Sequence, residues 1–322
     1  MKPTIAGTLL AGALLAAFSL TSVSHATPPT RLVVAFPPGG PADSLARILA
    51  KELETELKTT VIVENKPGAN GAIAVNYVMR GATDGSMLFL SSAGAIAINP
   101  SLYPNLSYKP AEDLTPVALV VHTPEVLVVS PKNAARSAAD YVAAASKRGE
   151  AATLASSGVG SMPHMTIELF KSQTKVDFLH VAYKGAAPAI ADTIGGHVEA
   201  FFGDVSGLMP FIKDGQLVAL GVAAPARLKS LPDVPTLAEQ GIPNVEASNW
   251  YGMFAPKGTP AEVVGRLNQA VRNSLQSAAL VASLASLGIE PSPSSPEAFR
   301  ELVRRDTGKW ASVIKTGNVR AE

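Results

Sequence analysis

The chain of 322 residues is long enough for two domains, and its balanced charge argues against nucleic acid or an anionic membrane surface as a partner. The formal net charge is only +1. Because the sequence contains no cysteine, it excludes disulfides, thiolate metal sites, a cysteine nucleophile and a lipid anchor on cysteine.

The first 26 residues have the pattern of a secretory signal peptide. Lys2 provides a positive charge, residues 5–20 form an almost unbroken apolar run, and Ser24-His25-Ala26 places small residues at a cleavage site. The apolar run is marginally long enough for an uncleaved membrane anchor. Its alanine and glycine content and its small-residue end favour cleavage after Ala26. We therefore expect an exported protein that is free in the periplasm.

The next segment has the pattern of a strand, a turn and a helix. Residues 31–36 form an apolar β-type run, Pro37-Pro38-Gly39-Gly40 a turn, and leucines at helical spacing follow over 44–58. Such a unit directs free backbone N–H groups and a positive helix end toward one point, which suits an anion. A tight strand–helix connection explains the glycines equally well. We expect Asp43 to cap the helix or organise the loop.

Strand and helix patterns alternate through the first third of the chain. Strands are predicted at 60–65 and 87–90, with a helix over roughly 72–80 between them. This order predicts a parallel sheet, in which ligands bind beyond the carboxyl ends of the strands. Ser91 and Ser92 lie at such an end and can donate hydroxyl groups, although solvation of a loop accounts for them as well.

A second α/β pattern follows two β-rich runs at 117–122 and 126–130. Its strands are predicted at 153–156, 178–183 and 198–202, and its helices at 165–171 and from about 188 to 194. A returning strand at 250–255 precedes a helical tail. The fold class is therefore α/β, with two lobes joined by crossing strands near 121–130 and 248–256. Lobe 1 would comprise 27–125 plus 250–322, and lobe 2 would comprise 126–249. A cleft between two hinged lobes is typical of solute-binding proteins.

The segment from Ser156 to His164 repeats the chemistry of the first loop in the second lobe. Two opposed, nearly uncharged clusters of donors suit a molecule with anionic or polar ends. Lys184 is a candidate counter-charge for a carboxylate, or simply an exposed lysine. Asp204 can bind an amine, a hydroxyl or a water, or cap the next helix. Trp250 and Tyr251 either form a wall of the cleft or belong to the core.

The sequence offers no pattern that supports catalysis, a cofactor or a metal site. A Gly-x-Ser-x-Gly elbow and a phosphate-binding Gly-Lys-Ser/Thr loop are absent, and the histidines lack metal-ligand spacing. The glycines at 158 and 160 lack the third glycine of a dinucleotide fingerprint. We therefore predict no enzymatic activity, no cofactor and no metal.

Five motifs stand in the same order as in a known family. They are Phe36-Pro-Pro-Gly-Gly-x-x-Asp43, Asn99-Pro100-x-Leu102-Tyr103, Ser157-Gly-x-Gly-Ser161-x-x-His164, Tyr183-Lys184-Gly185 and Trp250-x-Gly252-x-Phe254-Ala255-Pro256-x-Gly258-Thr259-Pro260. Together they resemble the tripartite tricarboxylate transporter substrate-binding proteins, the Bug or TctC family. The resemblance extends over essentially the whole chain after the signal segment.

This resemblance implies a periplasmic receptor with the type II binding-protein fold that delivers a small carboxylate, or a related small polar molecule, to membrane permease subunits. It also implies recognition by backbone amides, hydroxyls and waters, with the loops at 36–43 and 157–164 facing each other across the cleft. Pro38 and Pro41-Ala42 depart from the Gly/Thr-rich form of the first loop, which bears on ligand identity. The turn at 107–110 departs from the usual Pro-Tyr-Asp-Pro.

We interpret the chain as a monomeric periplasmic solute-binding protein for a small carboxylate, with no nucleic-acid partner. The predicted ligand-binding residues are Phe36, Pro38, Gly39, Gly40, Asp43, Ser91, Ser92, Ser157, Gly158, Val159, Gly160, Ser161, His164, Lys184 and Asp204. Two alternatives stay open at this point. One is a ligand-dependent sensor for a membrane signalling partner, and the other is a secreted α/β hydrolase that uses Ser161 and His164.

Overall fold

The computed structural model describes residues 28–321, so the predicted signal peptide lies outside the described residues. These residues form α-helices and the strands of one continuous sheet. The strands are β1 (Thr30–Val34), β2 (Val61–Asn65), β3 (Met87–Ser92), β4 (Leu114–Val129), β5 (Ala152–Ser156), β6 (Phe178–Ala182), β7 (Ala200–Asp204), β8 (Val218–Val222) and β9 (Ser248–Pro256). The helices are α1 (Pro41–Leu57), α2 (Ala72–Val78), α3 (Asn99–Leu102), α4 (Pro110–Asp113), α5 (Ala138–Ala145), α6 (Met162–Thr174), α7 (Ala186–Gly195), α8 (Val205–Lys213), α9 (Ala261–Ser274), α10 (Ala278–Ser286) and α11 (Pro296–Gly317).

The strand order confirms a two-lobed α/β fold with two crossing strands. The order is β2-β1-β3-β9-β4-β7-β5-β6, with β8 paired to β4. β1 is parallel to β2 and β3, and β5 is parallel to β6 and β7. The pair β4 and β9 is antiparallel and joins these two parallel units. The residue boundaries proposed for the lobes stay a prediction.

β4 is one continuous strand of 16 residues, where the sequence suggested two separate β-rich runs. Its first part pairs with β9, and its last part pairs with β7 and β8. Pro124 stands where the strand exchanges partners, and the N–H of the next residue, Glu125, donates to the carbonyl of Ala247 at 3.0 Å. The pairing with β9 ends at Pro124 and the pairing with β7 begins at Glu125, so the proline lies at the change of partners and does not interrupt the strand.

Helices α6 and α7 begin earlier than the predicted starts at 165 and 188. Pro163 and Pro188 each lie within the first turn of their helix. A proline there removes an N–H group that has no partner inside the helix, so it is compatible with the helix start. The earlier starts matter because they place two helix N-termini at the cleft.

The C-terminal helices pack back on the crossing strands. Phe299 of α11 is fully buried, and its ring lies 5.4 Å from that of Trp250 and 4.9 Å from that of Phe254. The indole Nε1 of Trp250 donates to Asp306 at 2.8 Å, so Trp250 belongs to the core. Within residues 28–321, no helix combines the length and the apolar character needed to cross a membrane.

Candidate ligand-binding site

A cavity lies between the lobes, where the carboxyl ends of parallel strands from both units meet. Its volume is about 50 Å³, so the two lobes stand close together. The lining comes from the segments that follow β1, β5 and β6, and from β3, β7 and β9 themselves. It comprises Phe36, Pro37, Pro38, Gly40, Pro41, Ala42, Ser92, Ser157, Ser161, Met162, Pro163, Lys184, Gly185, Ala186, Ala187, Pro188, Phe201, Gly203, Asp204, Asn249 and Tyr251.

The cavity brings together about half of the residues predicted to bind a ligand. Those that line it are Phe36, Pro38, Gly40, Ser92, Ser157, Ser161, Lys184 and Asp204. Those that lie outside its lining are Gly39, Asp43, Ser91, Gly158, Val159, Gly160 and His164. Ser91 points to the opposite side of the sheet from Ser92, because successive side chains of a strand alternate. Direct ligand contact by any of these residues stays a prediction.

Asp43 organises the first loop and does not form the helix cap. Gly40 is the N-cap residue of α1, and Asp43 lies in the first turn. The carboxylate accepts hydrogen bonds from the Gly39 N–H, Asn65 Nδ2 and Arg47 Nε, each at 3.0 Å. Burial by itself raises the pKa of Asp43, but these hydrogen bonds outweigh it and hold the pKa below its usual value. The charge of Asp43 is therefore satisfied within its own loop.

Three helix N-termini converge on the cavity. Pro41, Met162 and Ala186 are the first residues of α1, α6 and α7, and all three line it. The first-turn N–H groups of a helix have no partner inside the helix, and the helix dipole places positive charge there. The arrangement therefore suits an anion held by backbone donors. The sequence interpretation missed the α7 terminus, although Gly185 followed by a proline three residues later is a signal for a helix start.

A stacked pair of histidines, His164 and His180, supports the second loop, at residues 157–164. The rings of His164 and His180 are 4.0 Å apart and almost parallel. His164 Nδ1 accepts a hydrogen bond from the Gly160 N–H at 3.1 Å, and His180 Nε2 lies 2.6 Å from Ser156 Oγ. Burial, together with the neighbouring His180, lowers the pKa of His164 to about 3. Burial and then Lys171 lower the pKa of His180 to about 4.

The lowered pKa values of these two histidines predict that acid destabilises the protein. Unfolded, each would take up a proton near the ordinary pKa of 6.5, whereas in the folded state they do so only near about 3 and about 4. Protons therefore favour the unfolded chain. The free energy of unfolding should fall by several kcal/mol between pH 6.5 and pH 4, because each unit of pKa difference corresponds to about 1.4 kcal/mol. Urea denaturation from pH 7.5 to 4 measures this dependence.

Replacing both residues, in a His164→Gln/His180→Gln variant, should flatten the pH dependence relative to the wild type. The matched control is His197→Gln, because His197 is exposed and its replacement should leave the slope as it is. Equal slopes in the wild type and the double variant would contradict the assignment of the effect to this pair.

Ser161 and His164 form a helix cap and not a nucleophile with its base. Ser161 Oγ donates to the Gly158 carbonyl at 2.7 Å and accepts the backbone N–H of His164 at 3.3 Å. The imidazole is held by Gly160 and by stacking on His180. Since a serine nucleophile needs a base within hydrogen-bond reach, this geometry does not favour the hydrolase alternative.

One side chain links the lobes beside the cavity. Asn70 Nδ2, in the loop after β2, donates to the Gly160 carbonyl at 2.6 Å and to Asn99 Oδ1 at 2.8 Å. Asn99 Nδ2 in turn donates to the hydroxyl of Tyr108 at 2.9 Å. Gly160 has φ +76°, and a Cβ there would meet Asn70 at 2.9 Å, so this close approach requires glycine. The second loop is thus held by contacts from both lobes.

The floor of the cavity is formed by residues of β7 and β9, the two strands on either side of β4. Asp204 ends β7 and accepts hydrogen bonds from Asn249 Nδ2 at 3.0 Å and from the Tyr251 hydroxyl. Tyr251 therefore contributes to the cleft, in contrast to its neighbour Trp250. Lys184 is exposed at the edge of the cavity.

Comparison with known proteins agrees with this architecture. The family model described as tripartite tricarboxylate transporter family receptor (TctC) matches residues 45–319. BugT of Bordetella pertussis is 36% identical over 288 residues, which cover 89% of this chain and 88% of BugT.

Two solved structures resemble the chain over nearly their whole length. MatC from Rhodopseudomonas palustris with bound malate has a TM-score of 0.84 and 30% identity, covering 89% of this chain and 98% of MatC. A second R. palustris protein, with adipate, has a TM-score of 0.87 and 33% identity, covering 91% of this chain and 98% of that protein.

Proposed function

This chain belongs to the tripartite tricarboxylate transporter receptor family, and on that premise we propose that it captures a small carboxylate for a tripartite transporter. The carboxylate groups would be held by backbone N–H groups and hydroxyls in the cavity between the lobes. MatC is bound to malate and its R. palustris relative to adipate, which supports a carboxylate as the ligand class here.

The observation that carries this proposal is the convergence of α1, α6 and α7 on one small cavity. The positive ends of three helices favour an anion without requiring a cationic side chain. Ser92, Ser157 and Ser161 line the same space and supply hydroxyl groups. Preformed donors in a largely desolvated site reduce the entropy that binding costs.

The proposal includes export and partner choice. We infer that the protein acts in the periplasm, freed by cleavage after Ala26, and passes its ligand to membrane permease subunits. We also infer that it catalyses no reaction, since Ser161 and His164 form a helix cap and not a nucleophile with its base. Family membership supports each of these points.

A thermal-shift screen with a panel of carboxylates tests the proposal. A ligand present at 100 times its dissociation constant should add about 2.7 kcal/mol to the free energy of unfolding. For a protein of this size we expect the melting temperature to rise by several degrees. The matched controls are the corresponding neutral amides, such as succinamide for succinate, which should give no shift. If no carboxylate raised the melting temperature, the proposal would be wrong.

A further inference from the structure

The floor of the cavity contains a pair of buried carboxyl groups. Glu125 on β4 and Asp204 at the end of β7 lie opposite each other in the antiparallel register of the two strands. Glu125 is fully buried, and neither of its carboxyl oxygens has a hydrogen-bond partner among the described residues. Asp204 is 7% exposed and lines the cavity. Asp204 is therefore the member of the pair that a ligand can reach.

The two acids share one proton, and Glu125 holds it. Two ionised carboxylates facing each other in a buried site repel strongly, and neither forms an ion pair within residues 28–321. Burial raises the pKa of Asp204 as well, but hydrogen bonds from the Tyr251 hydroxyl and Asn249 oppose this rise and favour its charged form. Burial, and then the charge of Asp204, raise the pKa of Glu125 well above its usual range. The pair thus carries one negative charge, located on Asp204.

Two parts of the cavity consequently differ in electrostatic character. The N-termini of α1, α6 and α7 attract an anion, whereas the Asp204 carboxylate repels an anion and can accept a further hydrogen bond. Asn249 and the Tyr251 hydroxyl occupy part of the acceptor capacity of the Asp204 carboxylate, which offers about four lone-pair positions. At least one position remains for a group in the cavity. A ligand that brings only carboxylate and methylene groups leaves this remaining position without a donor.

We propose that Asp204 is a specificity-determining acceptor that selects carboxylates with a hydroxyl or ammonium group on the carbon chain. An acid of the same skeleton without such a donor would bind more weakly. A site built to hydrogen-bond a polar group discriminates strongly against the analogue that lacks it, because its own buried group is then left unpaired. This inference rests on the proposed function and names the ligand class of the same cavity.

Isothermal titration calorimetry with matched acids at pH 7 tests this selection. The first set is succinate, malate and aspartate, the second glutarate, 2-hydroxyglutarate and glutamate, and the third propionate, lactate and alanine. In the set that binds best, the hydroxy or amino acid should bind at least about tenfold more tightly than the unsubstituted acid. The hydroxy and amino members distinguish a hydroxyl from an ammonium ligand.

The Asp204→Asn variant should reduce the preference to less than about threefold, since it removes the charge while keeping the shape. A loss of affinity in Asp204→Asn that is greater for the amino acid than for the hydroxy acid would identify ammonium as the natural donor. The matched control is Asp140→Asn, an exposed position on α5, which should keep the wild-type ratio. The wild-type ratios keep the proposal testable even if Asp204→Asn does not fold.

The outcomes separate this inference from the function on which it rests. Unsubstituted acids that bind as tightly as their substituted counterparts would overturn the selection by Asp204 and leave carboxylate capture in place. An unchanged ratio in a folded Asp204→Asn protein would overturn it as well. If none of the nine acids bound, and the wider carboxylate panel gave no thermal shift, both would be wrong.

Discussion

Replacing Ala186 with proline is expected to weaken carboxylate binding by about ten- to a hundredfold and to leave the fold intact. Ala186 is the first residue of α7, a position that proline tolerates well. The preceding Gly185 already has the extended ψ of 170° that a following proline requires. The change therefore removes one backbone donor at the cavity and places the proline ring carbon Cδ where that N–H group was. Hydrogen bonds to a charged group contribute about 1.5–3 kcal/mol each, which gives the expected loss.

Calorimetric titration with the best carboxylate of the thermal-shift screen measures the effect. The matched control is Ala261→Pro, which makes the same change at the first residue of α9, where Pro260 has ψ 146° and the cavity is not involved. This control should keep the wild-type affinity, and both variants should melt close to the wild-type temperature. Wild-type affinity in a folded Ala186→Pro protein would show that the α7 terminus does not hold the ligand.

Replacing Gly252 with alanine should destabilise the protein by about 3 kcal/mol, toward the upper end of the usual cost of overpacking. Gly252 lies in the middle of β9, directly beneath the ring of Phe299 on α11. An added Cβ would lie within 2.7 Å of the Phe299 ring carbons Cε1 and Cε2. Because Phe299 packs between Trp250 and Phe254, the ring cannot move aside without disturbing the core at the crossing strands. Urea denaturation measures the loss.

A double-mutant cycle with Phe299→Leu isolates this contact. The Gly252→Ala/Phe299→Leu protein should lose less stability than the two single variants together, by at least about 1 kcal/mol, since the smaller side chain relieves the clash. Gly308→Ala is the contrasting control, because Gly308 is exposed within α11 and a Cβ there meets nothing within 4 Å. It should gain about 0.5–1 kcal/mol. Strict additivity in the cycle would contradict the steric explanation.

The general fold was predictable because the relevant signals are local. Apolar runs and helical spacing identify strands and helices through the burial of one or both faces, and glycine-rich turns before helices mark the ligand side of a parallel sheet. The boundaries of α6 and α7 were less accessible. The sequence prediction left Pro163 before its helix and put Pro188 at the start of the next, yet both lie inside the first turn, where no N–H group is needed.

The candidate site was predictable only in part, because two residues of one loop can face opposite directions. Ser161 lines the cavity, while His164 turns away from it and stacks on His180. Glu125 carried a weak signal, as a charged residue between the two predicted β-rich runs. Nothing local indicated that it would face Asp204 from a neighbouring strand.

The sequence by itself determined the α/β alternation, the crossing strands, and the glycine loops and uncharged donors expected to bind an anion. These features depend on interactions between residues close together in the chain. Only the tertiary structure decided which donors line the cavity, that β4 is continuous, and that Asp204 meets Glu125 at the floor. The register between strands and the convergence of α1, α6 and α7 arise from packing between distant segments, which no local pattern specifies. For the first loop, this packing assigned Gly40 to the cavity and Asp43 to the support of the loop behind it.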